Sequence, residues 1–163
     1  MNVLATGQAA AILGQRRILL SPKVRAESLY IYTDATKAQR EPIDGELLKR
    51  EGVTFADAEL NDAERVLAVR FAALVDDGEA ETLAIAAARQ IPILSDDIGA
   101  ERVARSEGVP LETTLELVYG WSIGRNKTDV KGALSALRAR ANYAPPRSHA
   151  QRSWFMSQTE SRL

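Results

Sequence analysis

Four acidic side chains stand where one fold could gather them. Glu79 and Glu81 open an alanine-rich segment, GEAETLAIAAAR, and Asp96 and Asp97 follow the short apolar run Ile91 to Leu94. In open parallel α/β sheets, ligands bind outside the carboxyl ends of the strands. Asp97 is therefore where a site is expected, and Glu81 could reach it from the neighbouring helix. Two adjacent carboxylates directly after an apolar strand repel each other, and a bound cation would relieve that repulsion. Each acid also has a plainer role. Asp96 or Asp97 could cap a helix starting at Ile98, and Glu79 and Glu81 in a first turn favour the helix dipole.

Composition narrows the chemistry. The 163 residues contain no cysteine and one histidine, so thiolate sites, disulfides and a His/Cys zinc site are excluded. Any metal must be held by oxygen, which points to Mg²⁺ or Mn²⁺. The length fits one domain with its own core. No apolar run approaches a membrane span, and no basic segment precedes the mildly apolar opening, so a cytoplasmic location is expected. Charge is uneven. Residues 1–121 hold 13 Lys/Arg against 20 Asp/Glu, and residues 122–163 hold 8 against 2. The acidic body could hold metal and the basic end could meet phosphates, or both could simply keep helix surfaces solvated.

Several elements must position these acids. Residues 3 to 13 read as a helix ending at Gly14, and Arg17 to Leu20 as a strand. Ser21 followed by Pro22 is a helix start, and the helix is expected to run through SPKVRAESLYIYTD. Asp34 to Pro42 reads as loop, Ile43 to Glu51 as a helix stopped at Gly52, and Val53 to Ala56 as an extended piece. Asn61 or Asp62 starts a helix whose Val66, Leu67, Phe71 and Leu74 keep helical spacing for packing on the sheet. Asp77 is expected to cap the alanine-rich helix. A helix from Ile98 to Glu107 leads to a strand at Val109 to Leu111, and Thr113 and Thr128 are expected to cap the last two helices. The final helix should bury Val130, Ala133, Leu134 and Leu137. Trp121 reads as core or interface, and lone His149 as structural or exposed.

The central stretch resembles the PIN-domain family in its compact prokaryotic branch. The match lies in GEAETLAIAAA (78–88), PILSDD (92–97), Arg102 to Ala104 and EGVPLETTLELV (107–118). The resemblance implies a three-layer α/β/α fold with a short, mainly parallel sheet over residues 1–141, followed by a tail at 142–163. It implies divalent-metal-dependent ribonuclease activity, including the toxins of toxin–antitoxin pairs. It adds Glu27, which fits by spacing an acidic position on the helix after the second strand. Glu27, Glu81 and Asp97 are thus the expected catalytic ligands of Mg²⁺ or Mn²⁺, with Glu79 and Asp96 supporting. Thr113 and Thr114 match a position where hydroxyls lie near the site, though capping is their commoner role. The family begins with one further strand ending in an aspartate ligand. Here Met1 already lies at or inside the first helix, and the first carboxylate is Glu27. Either the natural start lies upstream, or the chain has lost that strand and its activity.

The expected chemistry is phosphodiester hydrolysis of single-stranded or structured RNA by a metal-activated water. The tail sets Tyr143, Trp154, Phe155 and Met156 among prolines and arginines. It could stack on RNA, or dock on a second copy or an antitoxin. Other readings are a non-catalytic PIN-like module that binds nucleic acid or a partner, and a pure docking protein. A nucleotide-binding α/β protein is disfavoured, because no GxGxxG or P-loop occurs.

Overall fold

The structure, a computed structural model, describes residues 2–27 and 29–159. In chain order a 3-10 helix (Asn2–Thr6) leads to α1 (Ala9–Leu13), β1 (Ile18–Leu20), α2 (Pro22–Ala26), β2 (Tyr30–Tyr32), β3 (Arg40–Pro42), α3 (Gly45–Arg50), β4 (Phe55–Asp57) and α4 (Asp62–Phe71). Then follow α5 (Asp77–Arg89), β5 (Ile93–Leu94), α6 (Ile98–Ser106), β6 (Leu111–Glu112), α7 (Thr114–Ser122), α8 (Lys127–Ala141) and α9 (Arg152–Thr159). The chain is mixed α/β with short strands. β1–β4 and β5–β6 pair in parallel, and β2–β3 pair antiparallel. Among the described residues, no helix is long and apolar enough to cross a membrane.

The contacts divide the chain into two compact units. One is Met1–Arg16, Leu29–Val53 and Thr114–Leu163, and the other is Arg17–Ser28 and Thr54–Thr113. The second holds every acid singled out above. Its core forms where α5 packs on α4 and α2, with Phe71, Leu83, Ala84, Ile93, Ala100 and Val103 buried together. Alanines along α5 allow that close approach. The α4 start is a complete capping box. The Asn61 side chain accepts from Glu64 N and the Glu64 carboxylate from Asn61 N, each at 2.9 Å. Glu64 is itself fully buried and takes Arg89 Nε at 2.7 Å and Arg89 Nη2 at 3.0 Å. Of the four apolar positions expected to pack from α4, Phe71 and Leu67 do so. Val66, on the outward side of α4, is 71% exposed, and Leu74, past the end of the helix at Phe71, is 67% exposed.

The first unit is built on α8. Val130, Ala133, Leu134 and Leu137 are all buried, as its spacing predicts, and α8 packs on the opening 3-10 helix. That opening is not one helix. Gly7 at φ +67° breaks it, and Thr6 Oγ donates back to Val3 O at 2.6 Å. The helix from Ser21 also stops early, after Ala26, since Tyr30–Tyr32 is the strand β2. Two aromatic residues around isoleucine suit a pleated surface better than a helix interior. Its partner β3 lies in the stretch expected as loop, and the hairpin closes with Thr33 N donating to Gln39 O at 3.2 Å. Asn126, not Thr128, caps α8, accepting from Asp129 N at 2.9 Å.

Residues 142–159 of the expected tail are part of the first unit. Tyr143 and Phe155 are buried with ring centroids 5.9 Å apart, and Arg152 Nη1 donates to Pro145 O at 2.6 Å. These two aromatics find their pocket within their own unit. Residues 160–163 of the tail lie outside the described residues. Trp121 is half-buried under the Arg125 guanidinium, and His149 Nδ1 accepts from Gln151 N at 3.2 Å.

Candidate functional site

The acids of the second unit collect around the first turn of α5. Asp76, not Asp77, is its N-cap. Asp76 keeps an extended backbone and its side chain accepts from Glu79 N at 2.9 Å, whereas Asp77 is already helical. Asp77 pairs instead with Lys23 Nζ at 3.1 Å. Asp97 caps α6 by accepting from Gly99 N and Ala100 N. Glu27 closes α2, exposed to solvent, and its carboxylate lies over Gly78 in the first turn of α5.

Glu79 is the centre of this group. Burial pushes its carboxyl up to about 7, and the negative charges of Asp97, Asp76 and Glu27 push in the same direction. Near neutral pH Glu79 is therefore partly protonated. That proton is the charge compensation that so many carboxylates require. Of the five acids expected at a site, Glu27 and Asp97 are each brought within electrostatic reach of Glu79. Asp96 follows β5 and is half-buried. Glu81 is committed elsewhere, its Oε2 accepting from Lys23 N at 2.9 Å. Lys23 is the second residue of α2, so Glu81 satisfies one of the unpaired donors at that helix start.

Compared with models of known protein families, with curated proteins and with solved structures, the chain matches none. The site therefore stands on its own geometry. Its donors are all carboxylate oxygens, the type that hard divalent cations take. The raised Glu79 carboxyl also marks where positive charge is wanted. Among the described residues, however, no group of three or more Asp, Glu or His side chains lies close enough to hold an ion as the side chains stand. Two participants have weak signals in the sequence. Asp76 and Asp77 both suit a helix start by type, and only the backbone makes Asp76 the cap. Lys23 carried no signal, because its partners Asp77 and Glu81 come more than 50 residues later.

Gly78 controls how close Glu27 comes. A Cβ at Gly78 would stand 3.2 Å from Glu27 Cδ and would collide with its carboxylate oxygen. The colliding atom ends a flexible side chain, so it can swing away. Alanine is also preferred over glycine in a helix by up to about 1 kcal/mol. Gly78→Ala is expected to melt at or above the parent temperature, and to lower the Glu79 midpoint by removing one like charge from its surroundings. A carboxyl-resolved NMR titration reads this directly. A midpoint that stays near 7 would show that Glu27 has no part in the group.

Proposed function

We propose that this chain is a PIN-like ribonuclease that hydrolyses phosphodiesters with a divalent cation, acting in the cytoplasm. The observation that carries the reading is the Glu79 carboxyl, held near neutrality by burial and by Asp97, Asp76 and Glu27. Glu27, Glu79 and Asp97 are the residues that would hold Mg²⁺ or Mn²⁺, and release of the Glu79 proton would complete the donor set. Bound there, such an ion supplies an activated water and screens phosphate charge. Asp76 fixes the turn that carries Glu79. Asp97 is positioned by two backbone N–H groups, and Lys23 gives the neighbourhood a cation. The sequence resemblance supplies RNA as the substrate and a toxin–antitoxin pair as the setting, with an antitoxin or a second copy as protein partner.

A second reading has its own observation. Asp97 and Glu81 already serve as helix caps, which is what a non-catalytic PIN-like binding module would need of them. Melting with and without Mn²⁺ separates the two. A site filled to about 100 times its Kd gains about 2.7 kcal/mol, or on the order of 5–10 °C in a chain of this size. Asp97→Asn should abolish that gain, yet leave the metal-free melt nearly unchanged, since asparagine caps as well as aspartate. A melt indifferent to Mn²⁺ would favour the binding module.

A further inference from the structure

The β2–β3 hairpin of the first unit has two unlike faces. Tyr30 pairs with Pro42, Ile31 with Glu41 and Tyr32 with Arg40. Alternation therefore puts Ile31 on one face, and Tyr30, Tyr32, Arg40 and Pro42 on the other. Ile31 is 2% exposed and anchors the hairpin, whose β2 packs on α8 and the 3-10 helix. On the other face Tyr30 is 42% exposed, Arg40 and Pro42 are exposed, and Tyr32 is half-buried.

That outer face is aromatic and basic together. The rings of Tyr30 and Tyr32 meet edge to face at 5.5 Å. The Arg40 guanidinium lies 4.2 Å from the Tyr30 centroid and 5.8 Å from that of Tyr32, and Lys37 Nζ lies 5.7 Å from the Tyr32 ring. Among the described residues, neither Lys37 nor Arg40 has a salt-bridge partner. The hairpin's own Glu41 is taken by Arg50 at 2.6 Å from the opposite face. Asp34, the acid of the connecting loop, is turned onto Thr36. Lys37 Nζ donates to the neutral Asn142 Oδ1 at 2.5 Å, so among the described residues no carboxylate offsets either cation beside the two tyrosine rings.

We infer that this face binds single-stranded nucleic acid, with bases stacking on Tyr30 and Tyr32 and phosphates meeting Arg40 and Lys37. Stacking on rings plus phosphate pairing is how single strands are held without regard to sequence, because every base has a π-face. A duplex keeps its base faces stacked inside and offers the rings nothing. Only the choice of RNA over DNA rests on the nuclease reading. The stacking face stands on the hairpin alone.

The test is fluorescence anisotropy of the full chain with a labelled oligouridylate, in EDTA. Cleavage is then absent, and failure of the nuclease reading cannot be mistaken for failure of this one. Tyr30→Ala should weaken binding about 10-fold, the scale for one lost base stack, whereas Tyr30→Phe keeps the ring and most of the affinity. Arg40→Ala should flatten the dependence of log K on log salt by about 0.7, one single-strand phosphate contact. A circular-dichroism melt of each variant checks that the hairpin is retained, and the Tyr30→Phe and Arg40→Ala arms stand even if Tyr30→Ala unfolds. Absence of binding by the parent chain overturns the inference. So does equal affinity for a duplex, or binding indifferent to Arg40→Ala and Tyr30→Ala. Hairpin variants that change only the mass of the protein in solution would assign the face to protein contact instead.

Discussion

Arg89→Ala is expected to lower the stability of the protein by about 3–5 kcal/mol, the scale for leaving a buried charge without its partner. Glu64 is fully buried on α4, and among the described residues Arg89 at the end of α5 is its only cation, giving two hydrogen bonds. Arg89 also donates to Glu59 O at 2.7 Å, so the same side chain fastens the loop ahead of α4. Without Arg89, Glu64 keeps one donor, Asn61 N, and a charge it cannot hydrate. The effect depends on pH with a definite sign. The Arg89 guanidinium, opposed by burial, holds the Glu64 carboxyl below its ordinary value of 4.5. The pair's stabilisation is therefore present above about pH 4.5. It is lost as pH falls through the lowered folded value. The difference between parent and Arg89→Ala should be greatest at neutral pH and shrink in acid. A double change, Glu64→Gln with Arg89→Met, removes both charges and should recover most of the loss. Urea unfolding measures all three, and a deficit below about 1 kcal/mol for Arg89→Ala would mean that Glu64 reaches water.

Glu79→Gln is expected to act in opposite directions on stability and activity. Glu79 titrates near 7 in the folded chain, above its ordinary 4.5. Between those values the folded state binds more protons than the unfolded one, so this group makes stability fall as pH rises from about 4.5 to 7. Glutamine removes the charge and the slope with it. The variant should melt higher than the parent at pH 8 in EDTA, and the two curves should approach each other near pH 5. With Mn²⁺ the order reverses, because the parent gains a ligand that the variant lacks. On the proposed reading, cleavage of single-stranded RNA falls on the order of 10²–10³-fold, as for loss of one preorganised electrostatic group. The pH arm and the metal arm test different statements. Parallel melting curves in EDTA would deny the raised titration of Glu79. A crossing in EDTA without any Mn²⁺ response would keep the carboxylate cluster and leave a binding module.

The sequence by itself determined what neighbours in the chain can decide. Ser21 with Pro22 starts α2, the Asn61–Asp62 pair marks the start of α4, and the spacing of Val130, Ala133, Leu134 and Leu137 gives the buried side of α8. Each is settled by groups within about a turn or two of one another, so the signal is local. The mixed α/β class with short parallel pairing was equally legible, since β-branched and apolar runs alternate with helical ones. The tertiary structure decided the rest. The β2–β3 hairpin carries no local signal, because its stability comes from cross-strand pairs and from the buried Ile31 where β2 packs on α8. The site depended on the same kind of distance. Glu81 serves Lys23 N across 58 positions, and Glu27 meets Gly78 across a similar span. Carboxylate types and approximate places can be read from a chain. Whether a given carboxylate caps, pairs with a lysine or holds its proton near neutral pH depends on burial and on which charges the fold brings near it, and those exist only once distant segments have packed.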